Sequence, residues 1–452
     1  MLIEIHMIQN HSPSNLNRDD LGAPKTCVFG GVTRARISSQ CLKRSIRNPG
    51  NPADVHNRGA GLFFEAMQDH IGLRTSFFPD LVKNALESSD IPGDERKKVV
   101  TACTKIAKKE EAGAGTSEEV EDSDTRPRLP QLVFLESSEA QAFVSKLSEM
   151  RASKEWQRSY AAWIDGKLKD TPLADFTREL SLAYKHRSVD IALFGRMTTS
   201  AAFEDVEAAI QVAHAISTHA VINEVDYFTA IDDLGKSGGG AGHVDEAMFN
   251  SACFYKYFCL DWNQFVHNLT GPEPGEKQGT AAHKTWEDEA KLNAQRLAAC
   301  ALGHLLRAAA LTTPSGKQNS FAAHNLPEGI LVEVKNGGKT PISYTNAFAE
   351  PVEPRSQRGL IGESIARLGQ YVHEIADGYG IKAERFWFSP SGRYRLTRVN
   401  SKEKTTDAEQ SVVGKEGNLR SFDELVEKVV ESATGLKWSE VKDLARKPPE
   451  EA

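Results

Sequence analysis

The sequence predicts an α+β fold in which helical segments are inserted around a small β-sheet core. Strand-like runs that are rich in β-branched and apolar residues, such as residues 2–9, alternate with helical patterns of very unequal length. A sustained βαβ rhythm, which is typical of a parallel sheet, is therefore missing from the sequence. The chain has 452 residues, of which 40% are hydrophobic, so it can bury an extended core.

The N-terminal part begins with a strand over residues 2–9, and a loop over residues 10–20 follows it. Ser38 and Ser39 then precede a short helix, as helix-capping residues do. The next block, residues 50–187, is mainly helical and interrupts the strand pattern, so we interpret it as an inserted subdomain. Its helical segments are expected near residues 59–70, 77–88, 94–110, 137–150 and 172–184.

In the second half of the chain, strand-like and helix-like segments again alternate. Residues 188–197 favour a strand, and residues 204–219 have apolar positions at the spacing of a helix. Two β-like runs on either side of a Gly-rich tip at residues 238–242 predict a long hairpin that protrudes as an arm. The remaining predicted elements are a helix at 284–311, a strand at 329–335, a helix at 359–378, a strand pair near 384–398 and a helix at 421–434.

The net charge of −7 says little about the folded part of the chain, because the excess of acidic residues is concentrated in one segment. Residues 110–124 contain seven acidic residues and no basic ones, together with Gly, Ala and Ser. Such a composition predicts a solvated, disordered loop. Without this segment the net charge of the chain is about zero, so an anionic partner is not excluded.

The sequence predicts a cytoplasmic protein without a membrane segment. The longest apolar stretch, residues 297–311, is too short to span a bilayer and is interrupted by His304 and Arg307. The N-terminus lacks the basic-then-apolar order of a secretion signal. The six cysteines show neither CxxC pairs nor disulfide-like spacing, so buried, reduced thiols are expected.

A basic stretch near the N-terminus contrasts with this overall acidity. Residues 21–53 contain six Lys or Arg residues and no Asp or Glu. Helical spacing places four polar side chains on one face of the helix, namely Gln40, Lys43, Arg44 and Arg47. Leu42 and Ile46, with Cys41 and Ser45, fall on the other face, which we expect to pack on a sheet.

Two interpretations of this face stay open. A solvated helix face can have counterions that lie far away in sequence. The alternative is a polyphosphate site, because like charges gathered without a carboxylate become favourable once an anion binds, and the N–H groups at a helix start attract phosphate. The neighbouring Lys25, Arg34 and Arg36, and the pair Gly30-Gly31 that would allow close backbone approach, favour the polyphosphate site.

Six blocks of the chain occur in a specific order: “HSPSNLNRDD”, “FGGVTRARISSQCLKRSIR”, “VDIALFGRMTTS”, “AHAISTHAVINEVDYFTAIDDL”, “GKQNSFAAHN” and “NAFAEPV”. Together they resemble the CasC family, the crRNA-binding backbone subunit of the type I-E CRISPR Cascade effector complex. The resemblance extends from Leu2 to about Gly380. The region around the acidic loop and residues 384–418 diverge from the family, so no residue roles are carried over there.

The resemblance implies an RRM-like (ferredoxin-like) palm with an inserted helical finger domain and a protruding β-hairpin thumb. The implied division is palm at 1–49, finger at 50–187 with an acidic loop at 110–125, palm at 188–218, thumb at 219–258, and the remaining palm with C-terminal strands and helix at 259–452.

The implied function is that of a non-catalytic, cofactor-free RNA-binding subunit in antiviral defence. Several copies form a helical oligomer along one CRISPR guide RNA and contact other Cascade subunits. Each copy grips the phosphate backbone, and its thumb displaces one base so that the others pair with target DNA in an R-loop.

Matching positions imply the RNA contacts. The implied guide-binding residues are Arg18, Lys25, Arg36, Ser38, Gln40, Lys43, Arg44, Arg47, Met197, Lys317 and Gln318. Met197 matches a residue that packs near the displaced nucleotide. The implied base-wedging residues of the thumb are Tyr227, Phe228, Thr229 and Ile231.

One alternative function is a metal-dependent endoribonuclease on the same scaffold. Its candidate acids are Asp19-Asp20 and Asp232-Asp233, although paired Asp residues in loops more often serve as turn or capping residues. His214 and His219 are five residues apart and so miss one helical face, and no metal site is predicted from them. Two aromatic runs, residues 254–258 and 385–396, could stack on bases, but core packing is the favoured interpretation for both.

Overall fold

The computed structural model describes residues 1–47, 61–106, 126–136, 138–181, 188–198, 202–203, 205–230, 243–270, 281–337, 340–399, 409–414 and 417–446. The acidic loop at 110–124 and the Gly-rich tip at 238–242 lie outside these residues. The chain divides into two compact units. The first comprises Met1–Asp69, Ile210–Asn263 and Gln295–Ala452, and the second comprises His70–Ala209 and Gln264–Ala294.

The secondary structure confirms a mixed α+β class. The strands are β1 (Leu2–Ser14), β2 (Thr26–Phe29), β3 (Val32–Ile37), β4 (Leu73–Thr75), β5 (Val133–Leu135), β6 (Ile210–Val212), β7 (Ala215–Ser217), β8 (Glu224–Ala230), β9 (His243–Asp261), β10 (Gly329–Lys335), β11 (Glu384–Phe388), β12 (Thr397–Val399), β13 (Glu409–Ser411) and β14 (Asn418–Leu419).

The α-helices are distributed over both units. They are α1 (Ser39–Arg47), α2 (Leu62–Met67), α3 (Phe78–Leu86), α4 (Gly93–Cys103), α5 (Glu139–Ala152), α6 (Gln157–Ile164), α7 (Asp170–Ser181), α8 (Val189–Phe194), α9 (Trp262–Thr270), α10 (Ala281–Leu311), α11 (Gln318–Phe321), α12 (Gly359–Tyr379), α13 (Phe422–Thr434) and α14 (Trp438–Val441). No helix in the described ranges is both long enough and apolar enough to cross a membrane.

The first unit is built on one large sheet with the strand order β14-β11-β10-β1-β9-β7-β3-β2. Strands β1 and β9 lie at its centre and pair antiparallel from Leu2 opposite Asp261 to Ser14 opposite Asn250. Strands β6, β7 and β8 pair one after another along the other edge of β9. Because both faces of the sheet are covered, residues 2–9 of β1 are buried without interruption.

Different elements cover the two faces of this sheet. On one face Leu42 of α1 packs with Leu16, Ile37 and Phe254. On the other face α12 contributes Ile365, Leu368 and Val372 to a core that includes Leu331, Tyr344 and Trp387. Strand alternation explains the division, since successive side chains of a strand point to opposite faces.

The second unit has its own core. Helices α3 to α7 supply most of it, and edge-on aromatic contacts join Phe78 to Phe143 and to Phe203. Strands β4 and β5 form a separate two-stranded sheet, which the sequence pattern did not predict, nor did it predict α6. The finger, palm and thumb boundaries deduced from the sequence stay predictions.

Two neighbouring predictions are wrong. Residues 188–197 contain the helix α8 instead of a strand, and residues 204–219 contain the strands β6 and β7 instead of a helix. All residues of α8 from Val189 to Leu193 are buried, and a run buried on every side has no period that separates helix from strand. In residues 204–219, pairing with β9 favours strands and outweighs the helix propensity of the Ala and Glu residues.

Smaller corrections concern strand ends and partners. Strand β1 continues through Ser14, whereas a loop was expected from residue 10. The strands near 384–398 exist, but they do not pair with each other, because β11 pairs with β10 and β14 while β12 pairs with β13. The hairpin is confirmed in its described strands, in which Glu224–Ala230 pairs antiparallel with residues 243–249 of β9.

Candidate nucleic-acid interface

The helix α1 forms as its sequence predicts and is fixed at its start by two side chains. The Ser38 hydroxyl accepts a hydrogen bond from the Cys41 amide at 3.3 Å, which caps the helix. The Asn17 side chain accepts from the Ser38 amide at 2.8 Å and ties the preceding loop to the cap. Leu42 and Ile46 are buried, and their packing fixes which side of the helix faces outward.

The opposite face of α1 presents the predicted cationic residues. Gln40 and Arg44 are exposed, and Lys43 and Arg47 are half-buried. Within the described residues Lys43 and Arg44 form no ion pair, and partial burial lowers the pKa of Lys43. These cations therefore keep their charge available to an external anion.

Strand β3 and the loop before β2 bring two further predicted cations to this unit. The Arg36 guanidinium donates to the Thr26 carbonyl at 3.2 Å and to His214 Nδ1 at 3.2 Å. Burial, and then the positive charges of Arg36 and Lys25, lower the pKa of His214, so its imidazole is neutral and can accept. The sequence analysis considered His214 only as a metal ligand and did not predict its contact with Arg36, because the two residues lie far apart along the chain.

A cleft of about 520 Å³ lies beside α1 and brings the first predicted block together with a later loop. Its lining residues are Leu16, Asn17, Arg18, Asp19, Asp20, Gly22, Cys41, Arg44, Ser45, Thr313, Ser315 and Gly316. The exposed Arg18 and Arg44 place two cations at the cleft, beside the carboxylates of Asp19 and Asp20. A Cβ at Gly316 would lie 2.5 Å from the Leu16 carbonyl oxygen, so only glycine allows the two loops this close.

The two aspartates in the cleft have different surroundings. The Asp19 carboxylate accepts hydrogen bonds from the amides of Leu21 and Ala23, each at 2.9 Å, and so stabilises the turn. Asp20 is exposed at the cleft. Asp232 and Asp233 lie outside the described residues. Among the residues that are described, no group of three or more His, Cys, Asp or Glu side chains could hold a metal ion.

Two features of the basic stretch serve the fold instead of an anion, which corrects the expectation for them. Arg34 is fully buried and donates to the carbonyls of Phe29, Ser217, Phe348 and Ala349 at 2.8–3.3 Å. A Cβ at Gly30 would lie 1.7 Å from the Ala349 carbonyl oxygen. The close approach that Gly30 permits is therefore to the chain's own backbone.

The remaining predicted residues of this unit are partly buried in structural roles. Ser38 is buried as the helix cap. The buried Gln318 side chain donates to the Pro314 carbonyl at 2.9 Å. Lys317 has a φ of 46°, an unusual value for a residue with a side chain, at the start of α11. Their contacts with RNA stay predictions.

The hairpin of β8 and β9 exposes the predicted wedge residues. Tyr227 is 70% exposed and Phe228 is 45% exposed, and Thr229 is exposed as well. Because neighbouring side chains of a strand point to opposite faces, the hairpin offers apolar surface on both faces. Ile222, just before β8, is also strongly exposed and was not predicted. Ile231 lies outside the described residues.

Met197 belongs to the second unit and is 92% exposed, and the residues on both sides of it are hydrogen-bonded. The backbone of Arg196 exchanges two hydrogen bonds with Val206, at 2.9 and 2.7 Å. The Thr198 amide donates to the Asp205 carboxylate at 2.7 Å. The exposed methionine thus presents an apolar side chain between two hydrogen-bonded neighbours.

A buried ion pair holds Arg196, the residue directly before Met197. The Arg196 guanidinium donates to Glu139 at 2.6 Å and to the Phe134 carbonyl at 3.1 Å, and both charged side chains are at most 5% exposed. Burial, and then the charge of Glu139, raise the pKa of the neighbouring Glu136 to about 7. Arg196, which directly precedes Met197, is thus anchored in the core of its own unit.

The two aromatic runs have the favoured core role. Phe254, Tyr255, Tyr257 and Phe258 are buried in the central strand β9. Phe386 and Trp387 are buried in β11, and the Trp387 indole donates to the Tyr394 carbonyl at 3.0 Å. The bases of a bound nucleic acid therefore have no access to these rings.

Comparisons with known proteins agree with the fold of the chain. The family model described as “CT1975-like protein” matches residues 3–415. A solved chain titled “CRISPR RNA-guided surveillance complex, pre-nicking” is 26% identical with a TM-score of 0.66, and the match covers 96% of this chain and 100% of that chain. A second, titled “CRISPR RNA-guided surveillance complex”, shares the fold at 22% identity and a TM-score of 0.52, with the same coverage.

The search of curated proteins finds no match. The family model, however, covers most of the chain, and the first solved structure aligns over its full length. The chain therefore belongs to the CT1975-like protein family, and its resemblance to the CasC subunits of CRISPR Cascade is confirmed.

Proposed function

We propose that the chain is a non-catalytic backbone subunit of a type I-E CRISPR Cascade surveillance complex, which binds guide RNA along its phosphate backbone in several copies. The large sheet of the first unit would form an RRM-like palm, the helical second unit a finger, and the hairpin of β8 and β9 a thumb. Target DNA would pair with the guide, and neighbouring copies and other Cascade subunits would complete the complex.

The observation that carries this proposal is the outward face of α1 with its cleft. Lys43 and Arg44 have no internal counterion within the described residues, and Arg18, Lys25 and Arg36 belong to the same unit. Cations on a fixed helix face bind phosphates without reading sequence, and base pairing then supplies the specificity. The exposed apolar residues of the hairpin could wedge against any base, because each base has a flat apolar face.

The test replaces two cations of α1 in the reconstituted complex. Lys43→Ala combined with Arg47→Ala should weaken guide retention about tenfold and lower the slope of log affinity against log salt by about 1.4, that is about 0.7 for each lost phosphate contact. Filter binding of labelled guide RNA at several salt concentrations measures both. Lys382→Ala combined with Lys437→Ala, which removes two exposed cations of the same unit, is the charge-matched control. An unchanged slope in the α1 variant would remove the groove assignment.

The alternative function, metal-dependent RNA cleavage, rests on the exposed Asp20 at the same cleft as Arg18 and Arg44. Guide-loaded complex is incubated with complementary RNA and Mg²⁺ or Mn²⁺. Under the proposed function the RNA stays intact. Cleavage that disappears in Asp20→Ala, while guide retention is preserved, would establish the nuclease and overturn the non-catalytic role.

A further inference from the structure

Lys256 is a buried cation that has no counterion among the described residues. It lies in the middle of β9 and is 1% exposed. Within the described residues its ammonium group takes part in no ion pair and no hydrogen bond. Burial of a charged ammonium group is unfavourable unless an anion compensates for the lost hydration. Burial accordingly lowers the pKa of Lys256 to about 8.

A second buried lysine in the same unit shows the usual solution. Lys335 of β10 is also 1% exposed, but it forms an ion pair with the buried Glu4 of β1. Strand alternation places Lys335 on the sheet face that carries Leu331 and α12. The two lysines thus share burial and sheet but differ in whether a carboxylate is present.

The surroundings of Lys256 contain no carboxylate in the described part of the chain. It shares the face of Ala252 and Phe254, on which α1 packs, and is directly opposite Met7 of β1. The titratable groups that face it are His11 of β1 and Cys41 of α1. Burial, and then the charge of Lys256, lower the pKa of His11 to about 3, so its imidazole is neutral.

Lys256 is connected to the candidate site through α1. Cys41 faces Lys256 and also lines the cleft beside Arg44. Three cations, Lys25, Lys256 and Arg44, act on the Cys41 thiol. The cleft also contains two aspartates, of which Asp19 stabilises its own turn and Asp20 is exposed. Cys41 separates Lys256 from the cleft, so an anionic ligand that enters the cleft beside Cys41 and Arg44 can supply the charge that Lys256 lacks among the described residues.

We propose that Lys256 is a further guide-binding residue: a cation held under α1 whose counterion is a phosphate of the bound RNA in the cleft. This inference rests on the proposed function. It implies that the buried ammonium group lowers the free energy of unfolding of the free chain. It also implies that a phosphate of the bound RNA compensates for this cost. A residue that only supports the fold would show no such opposition between stability and affinity.

The experiment uses the full-length chain and a fluorescein-labelled oligouridylate RNA. Lys256→Met keeps the length and volume of the side chain but removes its charge. We expect its melting temperature without RNA to equal or exceed that of the wild type, its Kd for RNA to rise about tenfold, and the salt slope to fall by about 0.7.

Lys335→Met is the matched control, because it removes the paired lysine from the other face. It should lower the melting temperature, since Glu4 is then left without its cation, and it should leave the salt slope unchanged. If Lys256→Met binds RNA with the wild-type slope, or loses stability as Lys335→Met does, the inference is wrong while the proposed function stands. If the wild-type chain does not bind RNA, the proposed function fails first.

Discussion

Arg34 and Arg44 are ten residues apart in one basic stretch and face opposite environments. Arg34 is buried and joins β3 to the carbonyls of Phe29 and Phe348. Arg44 is exposed at the cleft. Charge composition cannot distinguish these two positions. Only the pairing of β3 with β7 turns the Arg34 side chain towards buried acceptors.

We expect the two arginines to respond oppositely to replacement. Arg34→Met should lower the free energy of unfolding by about 3 kcal/mol, because several buried carbonyls lose their donor. Arg44→Met should change stability by less than about 0.5 kcal/mol and weaken RNA binding instead. Urea denaturation measures the stability, with fluorescence anisotropy for RNA. Equal stability of both variants would contradict the assignment of Arg34.

The pKa of Lys256 gives a pH-dependent prediction for the free chain. Between about pH 8 and the ordinary value of 10.5, the unfolded chain holds a proton that the folded chain has released. The free energy of unfolding therefore gains a contribution that grows with pH across this window, at most about 3 kcal/mol. Urea titrations at several pH values should show this gain in the wild type relative to Lys256→Met. A constant difference between the two would contradict the lowered pKa.

Among the secondary-structure elements, β9 has two different roles along its length. Its C-terminal part is buried between β1 and the strands β6 and β7, whereas its N-terminal part pairs with the exposed β8. The sheet holds one end of the strand and thereby directs the hairpin. An exposed aromatic pair on such an arm has little role in the core, and this exposure is consistent with the proposed role of Tyr227 and Phe228 in wedging bases.

Replacement of both aromatic residues should separate guide binding from target binding. Tyr227→Ala with Phe228→Ala should reduce target-DNA binding of the guide-loaded complex about tenfold or more, because each base–aromatic stack contributes about 1–3 kcal/mol. Guide retention should change less than threefold, since the phosphate contacts remain. Gel-shift assays with guide RNA and then with target DNA compare the two. A larger loss of guide than of target would count against a thumb here.

At the scale of the whole molecule, the proposed function predicts assembly of several copies on one RNA. A single copy makes few phosphate contacts, and adjacent copies on the same strand add avidity. Mass photometry of the chain with guide RNAs of increasing length should show the number of bound copies rise in steps. A single bound copy at every length would contradict the backbone role.

Much of the architecture was accessible from the sequence. The patterns predicted β1, α1, α12, α13 and the hairpin, because each has a clear period or turn signal. Helix was mistaken for strand at 188–197 and strand for helix at 204–219. Local sequence patterns could not prevent these errors, since short buried segments adopt the structure that their neighbours impose. Residues 204–219 are rich in Ala and have no strong preference for strand, and their pairing with β9 makes them strands.

The candidate site divides in the same way. Helical spacing by itself determined that Gln40, Lys43, Arg44 and Arg47 share a face, and the ordered blocks determined the family. Only the tertiary structure showed that Arg34 faces inward and that Asp19 stabilises a turn. It also showed that Lys256 lies under α1 and has no counterion in the part of the chain that is described. The physical reason is that burial and counterions depend on strand pairing across hundreds of residues, which local patterns do not record.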